Sequence, residues 1–329
     1  MRKLFILLAI ASFFTGCREY VAVIEIPPVK IAVRPGPEDI ALDERNTYPR
    51  IIVSCAARRP EYGEQFGFDE LNLLNDAVRQ LPIEGLPDGQ VLGPHGIDIA
   101  YRDGKTWLYV VNHESDYASS ILIFEVQADK LVFSERLTSP LIVSPNDLCV
   151  DAEGRLFISN DRGGPDFLIE NLFRPNGSSI IMYDGDEWYK VTENLSYANG
   201  VLSLDNKLYV AGTRENYLYR YDIGADTVVN QFQFTNALLG QDNLTLYEGK
   251  IYVAVHTEFM KFIAHSYSAA SQSPFAIYAI DMASGEKKRM YYNDGSLISG
   301  VSAAIRYGDY MYLAQIYEPY LLKVTLGDE

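Results

Sequence analysis

The sequence predicts an all-β fold, a six-bladed β-propeller with four-stranded blades whose ring is closed by an N-terminal strand. Three observations predict it. One hairpin phrase occurs six times along the chain, a third strand follows most copies, and a further strand-like run stands before the first copy. The phrase is a short strand, a turn holding Gly, Asp or Asn, and a second strand rich in Tyr, Phe, Val and Ile. Its copies start roughly 45–60 residues apart, the repeat length of four-stranded propeller blades.

The copies read EDIALDERNTYPRIIVSC from Glu38, HGIDIAYRDGKTWLYVVNH from His95 and NDLCVDAEGRLFISND from Asn146. They continue with NGVLSLDNKLYVAGT from Asn199, DNLTLYEGKIYVAVH from Asp242 and VSAAIRYGDYMYLAQ from Val301. Each alternates apolar and polar residues with period two and breaks at a turn signal, the pattern of a β-hairpin. Third strands follow as SILIFEV from Ser120, SIIMYDG from Ser179, YLYRYDI from Tyr217, AIYAIDM from Ala276 and YLLKVTL from Tyr320. The run YVAVIEI (Tyr20–Ile26) is expected to pair with the last blade and so remove an open sheet edge. Two stretches interrupt the pattern. Phe68, Leu71, Leu74, Val78 and Leu81 recur at three- and four-residue steps and predict an amphipathic helix over Phe68–Leu81. EFMKFIAHSYSAASQSP (Glu258–Pro274) breaks the fifth blade and is expected to form a binding wall or lid, or equally plain surface packing.

The chain starts with a basic Met1–Lys3, an apolar Leu4–Phe14, and Thr15-Gly16 before Cys17. That order is a secretory signal peptide, too short to span a bilayer. Phe14-Thr15-Gly16-Cys17 is similar to a bacterial lipobox, so residues 1–16 are expected to be removed and Cys17 lipidated. Residues 17–33 would then carry the anchor and the closing strand, and 34–329 the propeller. The expected location is the bacterial cell envelope, facing the periplasm or the exterior, and Arg18 after Cys17 favours the outer membrane. The formal charge of −16 disfavours nucleic acid and anionic headgroups as partners. Cys55 and Cys149 sit inside apolar strand-like runs and are expected to behave as buried small hydrophobes. No CxxC or His/Cys cluster suggests zinc.

The first strand of a blade lines the propeller axis, where apolar residues should dominate. Here the strand starts carry polar residues at one phase of the repeat: Glu38-Asp39, His95, Asn146-Asp147, Asn199 and Asp242-Asn243. Asn and Asp also begin turns, which is the plainer reading of each taken alone. Convergence of carboxylates on one axis would be repulsive unless a cation resolves it. Oxygen donors without thiolates suit a hard ion such as Ca²⁺.

The phrases GPED (36–39), GPHGID (93–98), VVNH (110–113), SPNDL (144–148), ANG (198–200) and QDN (241–243) resemble the paraoxonase/arylesterase family, in that order and at similar spacing. The C-terminal VSAAIRYGDYMYLAQIYEPYLLKV is similar too. The resemblance runs from about Pro37 to Leu326. It implies a catalytic calcium held by Glu38, Asn146, Asn199, Asp242 and Asn243. It implies a second, structural calcium held by Asp39, Asp147 and the backbone carbonyl of Ile97. It further implies His95 as general base and His113 as its proton-relay partner, in a calcium-dependent hydrolase of lactones or esters. His256 and His265 have no such match and are expected to be packing or surface residues. The chain departs from the family's animal members in lacking a cysteine near its C-terminus and in carrying Val255 where they have one in the fifth blade. Three alternatives stay open. Asp242 or Glu38 could act as nucleophile or base, the substrate could be a sugar lactone as in gluconolactonases, or the propeller could be a non-enzymatic binding module stabilised by calcium.

Overall fold

The computed structural model describes residues 26–115, 118–164, 176–236 and 238–327. Six antiparallel sheets follow one another along the chain, and their innermost strands neighbour each other in a closed ring. These inner strands are Pro37–Asp43, Pro94–Arg102, Pro145–Val150, Ala198–Leu204, Gln241–Tyr247 and Val301–Tyr307, in blades 1 to 6. Each begins one of the six repeats, and each pairs with the second strand of its own hairpin. The five third strands read from the repeats all form. Blade 2 gains a short fifth strand, Ile83–Glu84, pairing parallel to Leu131–Leu137.

The ring closes where Val29–Ala32 pairs antiparallel with Tyr320–Thr325, so the N-terminal strand supplies the outer edge of blade 6. The run expected to do this, Tyr20–Ile26, lies outside the described residues except for Ile26, as does Cys17. Closing the last blade with the chain's other end satisfies an edge that would otherwise template aggregation. Among the described residues no helix is long and apolar enough to cross a membrane.

The helix expected over Phe68–Leu81 is instead a hairpin, Phe66–Asn72 and Val78–Leu81, completing blade 1. Strands inside a propeller are covered on both faces by neighbouring blades, so Gly67 through Leu71 are all buried and the usual alternation disappears. The polar residues that mimicked a helix's wet face are paired inside. Arg34 donates Nε to Asp69 at 2.8 Å, and Glu70 receives Arg79 at 2.9 Å and also Arg50. Side-chain oxygens of Asn72 and Asn75 accept the amides of Leu74 and Ala77, which turns the chain where a helix would have continued.

Arg50, 1% exposed, ties the first two blades. It donates Nε to Asp43 at 2.8 Å, Nη1 to Glu70, and Nη2 to the carbonyl of Gln127 in blade 2 at 2.9 Å. A buried cation this fully bonded orients its blades, since removing one partner of such a cluster costs about 3–5 kcal/mol. Cys55 and Cys149 are buried free thiols whose ionisation burial pushes well up, as expected of core residues.

Candidate active site

All six inner strands share an irregularity. The register slips within their first residues, between Pro37 and Asp39, Pro94 and Ile97, Pro145 and Leu148, Ala198 and Val201, Gln241 and Leu244, and Val301 and Ala303. Bulges re-aim side chains and end pairing. Glu38, His95, Asn146, Asp147, Asn199, Asp242 and Asn243 all fall inside these slips. The repeat therefore does more than bring polar residues to one level. It breaks the ladder there, so that strand-start side chains turn toward the axis. Gly96 and Gly200 make this crowding possible. A Cβ on Gly96 would lie 2.6 Å from the Asn146 carbonyl oxygen, and one on Gly200 would lie 2.6 Å from that of Asp242.

Glu38, His95, Asn146, Asn199 and Asp242 line one cavity of about 340 Å³. Asn243 adjoins it, its Nδ2 lying 3.5 Å from Glu38 Oε1. Four buried oxygens in this group have no hydrogen-bond partner among the described residues: Glu38 Oε2, Asn146 Oδ1, Asn199 Oδ1 and Asn243 Oδ1. Leaving one such group unpaired costs about 1–3 kcal/mol, and four at one point of the axis ask for a common partner. Neighbouring polar atoms are engaged. Asn199 donates Nδ2 to Thr213 at 3.1 Å, and Thr213 in turn donates to the Gln241 carbonyl at 2.8 Å. Among the described residues no three His, Cys, Asp or Glu side chains cluster as a metal-holding group. The converging donors are three amides and one carboxylate.

The two histidines matched by the sequence meet. His95 Nδ1 is 2.9 Å from His113 Nε2, and His113 Nδ1 is 3.0 Å from the Ser119 hydroxyl. The other face of His95 turns to the axis, Nε2 lying 3.3 Å from Glu38 Oε1. Burial, then His95, Arg58 and Arg162, hold His113 well below the usual histidine range. Burial resists ionisation of Glu38, but His95, Arg58 and Asn243 outweigh it and keep the carboxyl below its usual value.

The other sequence-selected residues lie further along the axis, around a second cavity of about 180 Å³ lined by Asp39, Ile97, Asp98 and Asp147. Here the carboxylates accept backbone amides. Asp39 takes Ile40 and Ile97 N–H at 2.9 and 2.8 Å, and Asp147 takes Leu148 and Val201 at 2.7 and 2.8 Å. Asp98, unmarked by sequence reasoning, does the same with Ile99 and Val150, both at 2.8 Å. Each Asp thus bonds its own strand and the next blade's inner strand. Burial pushes Asp39 and Asp147 well up, and Asp98 up to about 6 against its two amide donors. Ile97 enters this network through its N–H.

His256 departs from the surface-or-packing expectation. It is buried, lines the first cavity, and sets Nε2 2.8 Å from Asp242 Oδ2. Its ring stacks on Phe262 at 3.9 Å between centroids. Phe262 belongs to helix α1, Phe259–Tyr267, the helical part of the insertion in blade 5. Phe259, Phe262, Ile263 and Ser266 of α1 line the cavity, so the insertion is a cavity wall rather than surface packing. His265 fastens that wall from behind. It is 2% exposed, with Nδ1 2.6 Å from the Ser271 carbonyl oxygen and Nε2 3.5 Å from Glu318, which also pairs with Arg59. A histidine closing the second strand of a hairpin (VAVH) was a legible signal for His256. No sequence signal distinguished Arg58 and Arg59, which follow a strand, Arg50–Ala56, that reads as core.

Comparison with known proteins agrees with this architecture. The chain is 29% identical over 263 residues to mouse serum paraoxonase/lactonase 3, covering 75% of this chain and 73% of that protein. It is 28% identical over 259 residues to the human protein of the same name, at 75% and 72% coverage. Among solved structures, a gluconolactonase from Xanthomonas campestris superposes with a TM-score of 0.59 at 14% identity, over 93% of this chain and 97% of that one. That likeness establishes a common fold. Residues 46–322 match the family described as arylesterase, and the chain belongs to that family.

Proposed function

We propose that this protein is a calcium-dependent hydrolase of lactones or esters. The observation that carries the proposal is the group of four buried oxygens without a partner among the described residues, on Glu38, Asn146, Asn199 and Asn243, beside a hydrogen-bonded histidine pair. Amide and carboxylate oxygens with no thiolate fit Ca²⁺. Glu38, Asn146, Asn199, Asp242 and Asn243 would hold a catalytic ion. Asp39, Asp147 and the Ile97 carbonyl would hold a structural one. When bound, calcium would polarise the substrate carbonyl and offset the charge of the tetrahedral oxyanion.

The chain's own residues supply the proton path. His95 presents one ring nitrogen to the axis and the other to His113, so it can take a proton from water at Nε2 while passing one from Nδ1 to His113. Burial and nearby positive groups keep His113 well below the usual histidine range, so it takes that proton at Nε2 only as it hands its own on from Nδ1. The Ser119 hydroxyl, which both donates and accepts, continues the path at His113 Nδ1. The water oxygen bonds to the acyl carbon, the acyl C–O bond breaks, and the leaving alkoxide takes a proton back from His95 Nε2 as the relay returns one to Nδ1, while the new carboxylic acid gives its proton to solvent. A lactone thereby opens to a hydroxy acid. Glu38, 3.3 Å from His95 Nε2, is the competing base. The likeness to lactonases by name supports the substrate class. The apolar face of α1 favours a less polar acyl group than a free sugar lactone.

The test is hydrolysis of aliphatic lactones, glucono-lactone and aryl esters by purified protein, with calcium and after exhaustive chelation. Turnover of lactones or esters that vanishes on chelation and returns with calcium is expected. Full activity without calcium would remove the metal from the mechanism, and no turnover on any substrate would favour a binding module. We further propose, from the leader and the lipobox-like segment, that Cys17 anchors the protein in the cell envelope with the propeller outside the cytoplasm, the outer membrane being the expected site. Membrane fractionation checks this, since Cys17→Ser should move the protein to the soluble fraction.

A further inference from the structure

The cavity wall holds a cation that the proposed chemistry leaves unused. Arg58 is half-buried and lines the cavity with Glu38 and His95. Among the described residues its hydrogen bonds leave from Nη1 and end on backbone carbonyls, those of Ala56 at 3.2 Å, Ile316 at 3.4 Å and Gly36 at 3.5 Å. Among the described residues Arg58 forms no ion pair with a carboxylate. Carbonyls hold a guanidinium in place but do not neutralise it, and Nε and Nη2 keep their donor capacity. Most other arginines near this end of the chain are paired with acids, as Arg34 is with Asp69, Arg50 with Asp43 and Arg59 with Glu318. The carboxylate Arg58 acts on is Glu38, in the same cavity, but among the described residues no hydrogen bond or ion pair joins the two, so donor capacity remains for a ligand.

The rest of the lining defines what the cation faces. Phe259, Phe262 and Ile263 give an apolar surface, and Arg214 adds a second guanidinium to the same cavity. An apolar wall with a fixed guanidinium fits an amphiphilic anion, and the planar fork suits a carboxylate best.

The geometry points to Arg58 as a specificity-determining residue that binds a carboxylate carried by the substrate, so that the preferred substrates are lactones or esters bearing a second, anionic group on an apolar frame. This rests on the hydrolase reading above and names its substrate class.

The experiment has two arms. In the first, kcat/KM is measured for a γ-lactone carrying a ring carboxylate and for its carboxamide, with wild type, Arg58→Gln and Arg58→Lys. A charge-assisted contact is worth a factor of about 10 to 100. Wild type should favour the acid by that factor. Arg58→Gln should bring the acid-to-amide ratio near one, mainly through KM, and Arg58→Lys should restore part of it. In the second arm, hexanoate and hexanamide are titrated calorimetrically into the same three proteins, with calcium and with chelator. Hexanoate should bind wild type about tenfold or more tightly than hexanamide, and Arg58→Gln should erase the difference in both conditions. A carboxylate preference that survives Arg58→Gln, or that disappears on chelation alone, overturns the assignment, as does equal binding of acid and amide to wild type. If wild type hydrolyses neither lactone, the hydrolase reading fails and the titration still decides Arg58. Matched melting temperatures of Arg58→Gln and Arg58→Lys establish that both variants are folded.

Discussion

His95→Gln is expected to lower kcat by about 10²- to 10⁴-fold, the range a positioned proton-transfer group contributes, while calcium affinity changes little. The expectation follows from geometry. His95 is the group that touches both the axial Glu38, at 3.3 Å, and the outward relay, at 2.9 Å to His113 Nε2. A glutamine keeps the bulk and a hydrogen bond but cannot carry the proton. His113→Gln should cost less, because water at the cavity can take over part of an outward relay. His113 also gives a pH signature with a definite sign. Burial, then the nearby cations, lower its folded pKa well below that of an unfolded histidine. Keeping it neutral therefore contributes stability that is present above about pH 6.5 and is lost as pH falls through that value toward the folded pKa. His113→Gln should flatten the fall in melting temperature between pH 7 and 5. Calcium titration and single-turnover rates check the His95 claim. A His95→Gln enzyme keeping half its turnover would hand the role of base to Glu38 or Asp242.

Chelation is expected to lower the melting temperature by on the order of 10 °C and to abolish hydrolysis. A ligand present at about a thousandfold its Kd stabilises the folded state by ~4 kcal/mol, and domains of this size shift by roughly 2–4 °C per kcal/mol. The physical source is the set of four buried oxygens, each bound by nothing else among the described residues. Asn243→Ala should weaken calcium binding about tenfold or more, since one contact between a charge and a polar group is worth ~1.5–3 kcal/mol. Asn199→Ala should do likewise and should also free Thr213, which accepts its Nδ2 at 3.1 Å. Unchanged calcium affinity in Asn243→Ala would contradict the proposed ligand set. An unchanged melting temperature on chelation would mean that the orphaned oxygens meet water instead.

The elements that were readable and those that were not differ in what surrounds them. The six inner hairpins were legible because each carries its own turn and its own period-two alternation, both local properties. Blade 1's outer hairpin was misread because Asp69 and Glu70 are buried and paired to Arg34, Arg50 and Arg79 across tens of residues. A buried ion pair looks like a wet face to any reading based on polarity. His256 was undervalued for a related reason. Its importance lies in a 2.8 Å contact with Asp242 and a stack on Phe262, and neither partner's orientation is written in its neighbourhood.

By itself the sequence determined the blade number and the phase at which polar residues interrupt the axis. Those are consequences of repetition, and a repeat places equivalent residues at equivalent positions whatever the details of packing. The tertiary structure decided the rest. It placed the register slip that turns these residues inward and left four of their oxygens unpartnered among the described residues. It put the Asp39, Asp98 and Asp147 carboxylates on the amides of the next blade. It made the blade 5 insertion a cavity wall and placed Arg58 on that cavity with no ion pair among the described residues. Each of these depends on which strand of one blade meets which strand of the next, a distance in space that spacing along the chain does not encode.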